Sequence, residues 1–214
     1  MQGKVGGRQM TDRRWRLWAV VIALSAWSGL ILQLVLVTVR VGSITMALWR
    51  MAIFFTIISN LTVAIVYSCI AFGVVRFRHP LLIAGLALTM LLVGSVFELM
   101  LRPTLHLSGW RLVSNALEHD IVPVLAVINW LILAEKGTLR ARDPWIIAIF
   151  PIAYLIYALI RAHIEGFYPY PFLDIPKIGW PAAIGYVLAI SAAFLVCGYL
   201  MVAADRWAGR RERR

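Results

Sequence analysis

Glu118, His119 and Asp120 stand in a row inside an apolar run, where charged side chains are costly and are kept mainly for function. Histidine is the side chain whose ordinary pKa suits proton transfer near neutrality. A second apolar run holds Thr56, whose hydroxyl is a weak nucleophile until an adjacent base takes its proton. Thr56 as nucleophile and His119 as base are therefore the candidate catalytic pair, and acyl transfer from an ester is the chemistry they fit. Ser59, Asn60, Glu98, Asn115, Glu118 and Asp120 are candidates to line the pocket or orient the pair. Asn60, Asn115 or backbone N–H groups are the expected donors to an oxyanion.

Residues three and four apart share a helical face. Thr56, Ser59, Asn60, Val63 and Tyr67 form one such stripe, and Asn115, Glu118, His119, Val122, Ala126 and Asn129 form another. Asp120 projects about 100° away from His119, so Asn115, one turn earlier, is the expected holder of the imidazole. Pro123 lacks an amide hydrogen four residues after His119, which predicts a kink and a free carbonyl at the histidine. Glu98, Glu118 and Asp120 with His119 and His163 are metal-ligand types, but no two histidines stand at a zinc-helix spacing and no local ligand motif occurs. Neither a metal nor another cofactor is expected. His79 and His106 fall in connections and are expected to be solvated.

These groups must be held by membrane helices. The 214 residues are 62% hydrophobic and 14% charged, with a mean hydropathy of +0.83, whereas soluble domains are about 25% charged. Continuous apolar runs of about 17–25 residues, enough to cross a hydrocarbon core of roughly 30 Å, recur at 17–39, 51–74, 81–101, 112–134, 145–161 and 181–203. They lack the alternation of a β-barrel. The predicted fold is all-α: a polytopic bundle of six transmembrane helices over 17–203, flanked by basic tails at 1–16 and 204–214. The first run, about 23 residues, exceeds a signal-peptide core of about 7–15 and is read as an uncleaved span.

The net charge of +11 is explained by position rather than by nucleic acid. Lys4, Arg8, Arg13, Arg14, Arg16, Arg76, Arg78, Lys136, Arg140, Arg142, Arg206, Arg210, Arg211, Arg213 and Arg214, fifteen of 21 basic residues, fall on one side of a six-span chain. That asymmetry places both termini in the cytoplasm. The tails are expected to touch anionic lipid, in the cytoplasmic membrane of a bacterium. Cys69 and Cys197 fall in inner halves of their spans and are expected to be packing residues. Counting from the outer boundaries at about 1.5 Å per residue puts Thr56 roughly 8 Å deep and His119 roughly 10–12 Å deep, with Glu98 within about 5 Å of its outer end. An outward-opening polar pocket over an apolar floor follows.

The long outer connection from 161 to 180, RAHIEGFYPYPFLDIPKIGW, carries Pro169, Pro171 and Pro176 and the interfacial aromatics Phe167, Tyr168, Tyr170, Phe172 and Trp180, which predicts a non-helical cap. Three segments together, FFTIISN from Phe54 to Asn60, NALEH with Pro123 from Asn115, and GFYPYPFLD from Gly166 to Asp174, resemble the androgen-induced-gene family of six-span membrane proteins. That family includes the androgen-dependent TFPI-regulating protein and many bacterial members. The resemblance covers about residues 17–203. It implies an intramembrane threonine hydrolase acting on fatty acid esters of hydroxy fatty acids, with the threonine at Thr56 and the histidine at His119. Tyr170 and Asp174, in the cap segment that is the most specific part of the resemblance, join the candidate pocket residues. The expected partner is a membrane lipid or lipid-ester substrate. The competing expectation is a non-enzymatic protein that binds a lipid or relays ions through Glu98, Glu118, His119 and Asp120.

Overall fold

A computed structural model describes the backbone of residues 2–212 and the side chains of residues 12–211. The side chains of Lys4 and Arg8, and the whole of Arg213 and Arg214, lie outside the described residues. Every regular element among them is helical. The α-helices are α1 (Gln2–Val41), α2 (Ile44–Met51), α3 (Phe55–Ala71), α4 (Pro80–Val96), α5 (Trp110–Ala116), α6 (Val122–Leu133), α7 (Asp143–Glu165) and α8 (Ile175–Glu212). One turn of π-helix, Phe97–Leu101, extends α4, and another, Leu117–Ile121, fuses α5 to α6.

Five helical stretches are long and apolar enough to cross a membrane: Asp12–Val41, Pro80–Thr104, Trp110–Leu133, Asp143–Glu165 and Ile175–Arg211. The sixth expected span, 51–74, is the one that differs. Its helix begins only at Phe55, after α2 and a bend of 99°, so Thr56 lies in the first turn of α3 rather than inside a continuous span. Pro151, by contrast, leaves α7 unbroken. The expected cap of 161–180 differs at its start, because α7 runs on to Glu165, and holds a short helical stretch from Ile175; at Gly179 (φ 77°, ψ 159°), two residues before Pro181, the helix is broken before the long apolar part of α8 begins.

The chain divides into two compact units, Met1–Leu48 with Thr56–Ala134, and Trp49–Phe55 with Glu135–Arg214. In the first, α4 packs along α6, and α1 along α5 and the second π turn. Ala19, Ile22 and Ala26 of α1, Val63, Tyr67 and Ile70 of α3, Ala84 and Leu88 of α4, and Val122 and Ala126 of α6 are buried. Ala19, Ala26, Ala84 and Ala126 among them are small, which suits association in lipid, where close van der Waals approach replaces the hydrophobic drive.

The second unit contains the break between α2 and α3. Backbone groups freed at membrane depth must find partners within the protein, and side chains supply them. Tyr154 donates its hydroxyl to the Ile53 carbonyl at 2.8 Å and Tyr157 to that of Ala52 at 3.1 Å. Arg161 donates to the Trp49 carbonyl at 2.6 Å, and the Phe55 N–H donates to the Tyr170 hydroxyl at 2.9 Å. In the same unit α7 packs against α8, and Asp205, fully buried, accepts from the Leu139 N–H.

Candidate functional site

The π turn at Leu117–Ile121 places the reactive residues of the first unit. The Val122 N–H reaches back five residues to the Leu117 carbonyl, and Pro123 follows. The kink expected from Pro123 thus takes the form of a π turn centred on the charged triplet, a device common at functional sites. Close approach of neighbouring helices fixes it from two sides. A Cβ at Gly29 would lie 3.0 Å from Glu118 Cγ, and one at Gly94 would lie 3.1 Å from the His119 carbonyl oxygen. A side chain at either position would press the turn by a few tenths of an ångström.

From this turn three side chains leave in three directions. His119 turns to α3, where its Nε2 lies 3.1 Å from Thr56 Oγ1. Its Nδ1 lies 3.2 Å from the Asn115 carbonyl oxygen. A carbonyl only accepts, so in the neutral ring the proton sits on Nδ1, and Nε2 presents a lone pair to the threonine hydroxyl. Asn115 therefore holds the ring, as expected, but through its backbone carbonyl. Phe97 stacks on the imidazole at 4.0 Å between centroids, which fixes the ring plane.

Asp120 faces away from His119. Both its oxygens accept from Arg102 Nη2, at 2.7 and 2.8 Å, and Arg102 Nε donates to Glu98 at 2.8 Å. Arg102 also lies 5.2 Å over the Phe97 ring. The two acids that sequence spacing assigned to the pocket are thus tied into a half-exposed cluster around one arginine. Glu118, only 4% exposed, packs against Gly29, and its Oε1 has no hydrogen-bond partner.

On α3, Thr56, Ser59, Asn60, Val63 and Tyr67 are all buried, as one stripe. The role expected of Asn60 changes. Its Nδ2 donates to the Thr56 carbonyl at 2.9 Å and to the Glu118 carbonyl at 3.1 Å. Both amide hydrogens are spent, so it is not an oxyanion donor. Ser59 is buried with its hydroxyl unpartnered. Two turns deeper Tyr67 donates to Asn129 Oδ1 at 3.0 Å, and buried Val63, Val122 and Ala126 lie at intervening positions.

Tyr170 and Asp174 belong to the second unit. Tyr170 accepts from the Phe55 N–H and stacks on Phe172 at 5.1 Å. Asp174 pairs with Lys177 at 2.6 Å and its carbonyl accepts from the first N–H groups of α8. Among the described residues no three His, Cys, Asp or Glu side chains converge on a metal position. His79, His106 and His163 are exposed, and Cys69 and Cys197 are unpaired.

Sequence reading missed Phe97, Arg102 and the Tyr154, Tyr157 and Arg161 set. Arg102 carries a visible signal, its place four residues after Glu98, where opposite charges pair on a helix. Phe97 carries none beyond its neighbourhood. Compared with known proteins, the chain matches no family model, no curated protein and no solved structure.

Proposed function

We propose that the chain is a lipid-ester hydrolase of a cytoplasmic membrane, six-spanning with both termini inside, related to the androgen-induced-gene family and using Thr56 as nucleophile and His119 as general base. The observation that carries this reading is the 3.1 Å contact between Thr56 Oγ1 and His119 Nε2, within general-base range, with Nδ1 held on a carbonyl. The substrate class is a fatty acid ester of a hydroxy fatty acid, whose chains suit helices faced with leucine, isoleucine and valine.

Thr56 Oγ attacks the ester carbonyl carbon while its proton passes to Nε2. The tetrahedral intermediate collapses, the alcohol leaves with the proton from Nε2, and the acyl group stays on Thr56. Water then attacks the acyl carbon, giving a proton to Nε2, and the acid departs as Thr56 Oγ recovers that proton. Thr56 lies in the first turn of α3, where N–H groups have no intrahelical acceptor. The Phe54 and Phe55 N–H groups are spent on the Met51 carbonyl and the Tyr170 hydroxyl, so those of Thr56 and Ile57, with the positive end of the helix dipole, take the oxyanion role that Asn60 cannot.

A fluorophosphonate probe tests this: Thr56 Oγ would displace fluoride from phosphorus and remain covalently labelled. Purified wild type is expected to label, with Thr56→Ala and His119→Ala slower by at least about a hundredfold, the lower end of a general acid–base contribution. Equal labelling of wild type and both variants overturns the proposal.

A further inference from the structure

We infer that Asn60 is the positioning residue of the site: its carboxamide clips α3 to the π turn and so holds Thr56 opposite His119. The inference rests on the reading of Thr56 and His119 as the reacting pair, but its geometry stands separately. Asn60 is fully buried, and its one nitrogen bonds the carbonyl of Thr56 itself and that of Glu118, the residue before His119. No other side-chain nitrogen in the site touches both halves of the pair's backbone.

The need for this clip is written into the π turn. The Glu118 carbonyl would ordinarily accept from the N–H four residues on, at Val122, but that hydrogen is committed to Leu117. Five residues on stands Pro123, which has none. At this depth there is no bulk water to make up the loss. The Asn60 amide supplies the missing donor from another helix. Since α1 and α4 already abut the turn at Gly29 and Gly94, the contact from α3 fixes the remaining side, the one that carries the nucleophile.

Asparagine suits the position because both hydrogens on Nδ2 point to acceptors. Asn60→Asp keeps the shape but carries at most one hydrogen, on a protonated carboxyl, so at least one of the two contacts is lost and oxygen is set against oxygen. Asn60→Ala removes the group altogether.

The test is nitrogen NMR of the full chain labelled with 15N-histidine in lipid nanodiscs, with the His119 signal assigned through His119→Gln. Thr56→Val removes the hydrogen bond and moves the Nε2 resonance. Asn60→Ala and Asn60→Asp, with Thr56 still present, are expected to move it in the same direction, while Ser59→Ala, at the neighbouring buried hydroxyl, leaves it in place. With the fluorophosphonate probe, the Asn60 variants are expected to lose at least tenfold in the maximal labelling rate with the half-saturating concentration unchanged. An unmoved His119 resonance in folded Asn60→Ala or Asn60→Asp overturns the clip, even if the melting temperature falls. If Asn60→Ala does not fold, the near-isosteric Asn60→Asp decides. Should wild type fail to label at all, the hydrolase reading falls while the resonance still decides the role of Asn60.

Discussion

Glu118, His119 and Asp120 are consecutive, yet each meets a different partner, and the partner decides what each contributes. His119 meets Thr56 and the Asn115 carbonyl. Asp120 is bound to Arg102 through both oxygens, so it cannot serve as the carboxylate that orients a catalytic histidine in the familiar triad. A carbonyl fixes the tautomer instead, and no third charge lies directly on the ring. Asp120→Asn keeps an acceptor for Arg102 and leaves both contacts of His119 intact. It is expected to lower the maximal rate of fluorophosphonate labelling by less than about tenfold, far below the loss in His119→Ala for a group acting in proton transfer. A loss as large as that of His119→Ala would show that Asp120 acts on the imidazole after all. The Thr56 and His119 pairing itself was legible in the helical stripes, which are an arithmetic property of a rigid repeat, whereas the depth counted for Thr56 was not, because residues 52–54 are not helical. The partners of Asp120 and Asn60 were not, since they depend on how far one helix is rotated against another.

At the scale of elements, two departures from a plain α-helix build the site, and they differ in how visible they are. Pro123 announces a disturbance beside His119, but whether the helix kinks or widens into a π turn depends on Gly29, Gly94 and Asn60 closing around it. The bend before Phe55 is invisible in the run from 51 to 74, which is continuously apolar. Its backbone is satisfied by Tyr154, Tyr157, Arg161 and Tyr170, all about a hundred residues away in the chain, where no local pattern can reveal them. Pro123→Ala separates the helix from its function. Residue 123 regains an N–H, the turn at 117–121 can close to an ordinary α-helix, and each residue removed from a π turn rotates what precedes it by about 100°. The variant is expected to melt at a higher temperature than wild type and to label at least tenfold more slowly. Wild-type labelling in a demonstrably more stable Pro123→Ala would mean that the π turn does not set the reactive geometry.

For the whole molecule the open choice is between five crossings and six, and it turns on α3. Seventeen residues at about 1.5 Å each span about 25 Å, short of a hydrocarbon core of roughly 30 Å. The non-helical link at 52–54 lengthens the path, and α2 turns away by 99° with Ile44, Met46, Leu48 and Trp49 exposed, a pattern suited to a helix lying in the interface. A crossing α3 puts residues 43 and 79 on opposite sides and both termini together, in keeping with the excess of lysine and arginine in the inner segments. A re-entrant pair would put 43 and 79 on the same side and separate the termini. With Cys69 and Cys197 replaced by serine, single cysteines at Ser43→Cys, His79→Cys and His106→Cys distinguish the two through a membrane-impermeant maleimide. Ser43→Cys and His106→Cys are expected to label in cells whose cytoplasmic membrane is intact, and His79→Cys only after that membrane is permeabilised. Ser43→Cys and His79→Cys labelling together, in either condition alone, would make the bent pair re-entrant. That outcome would put the amino terminus on the side opposite the carboxyl terminus and leave the charge asymmetry without its topological cause.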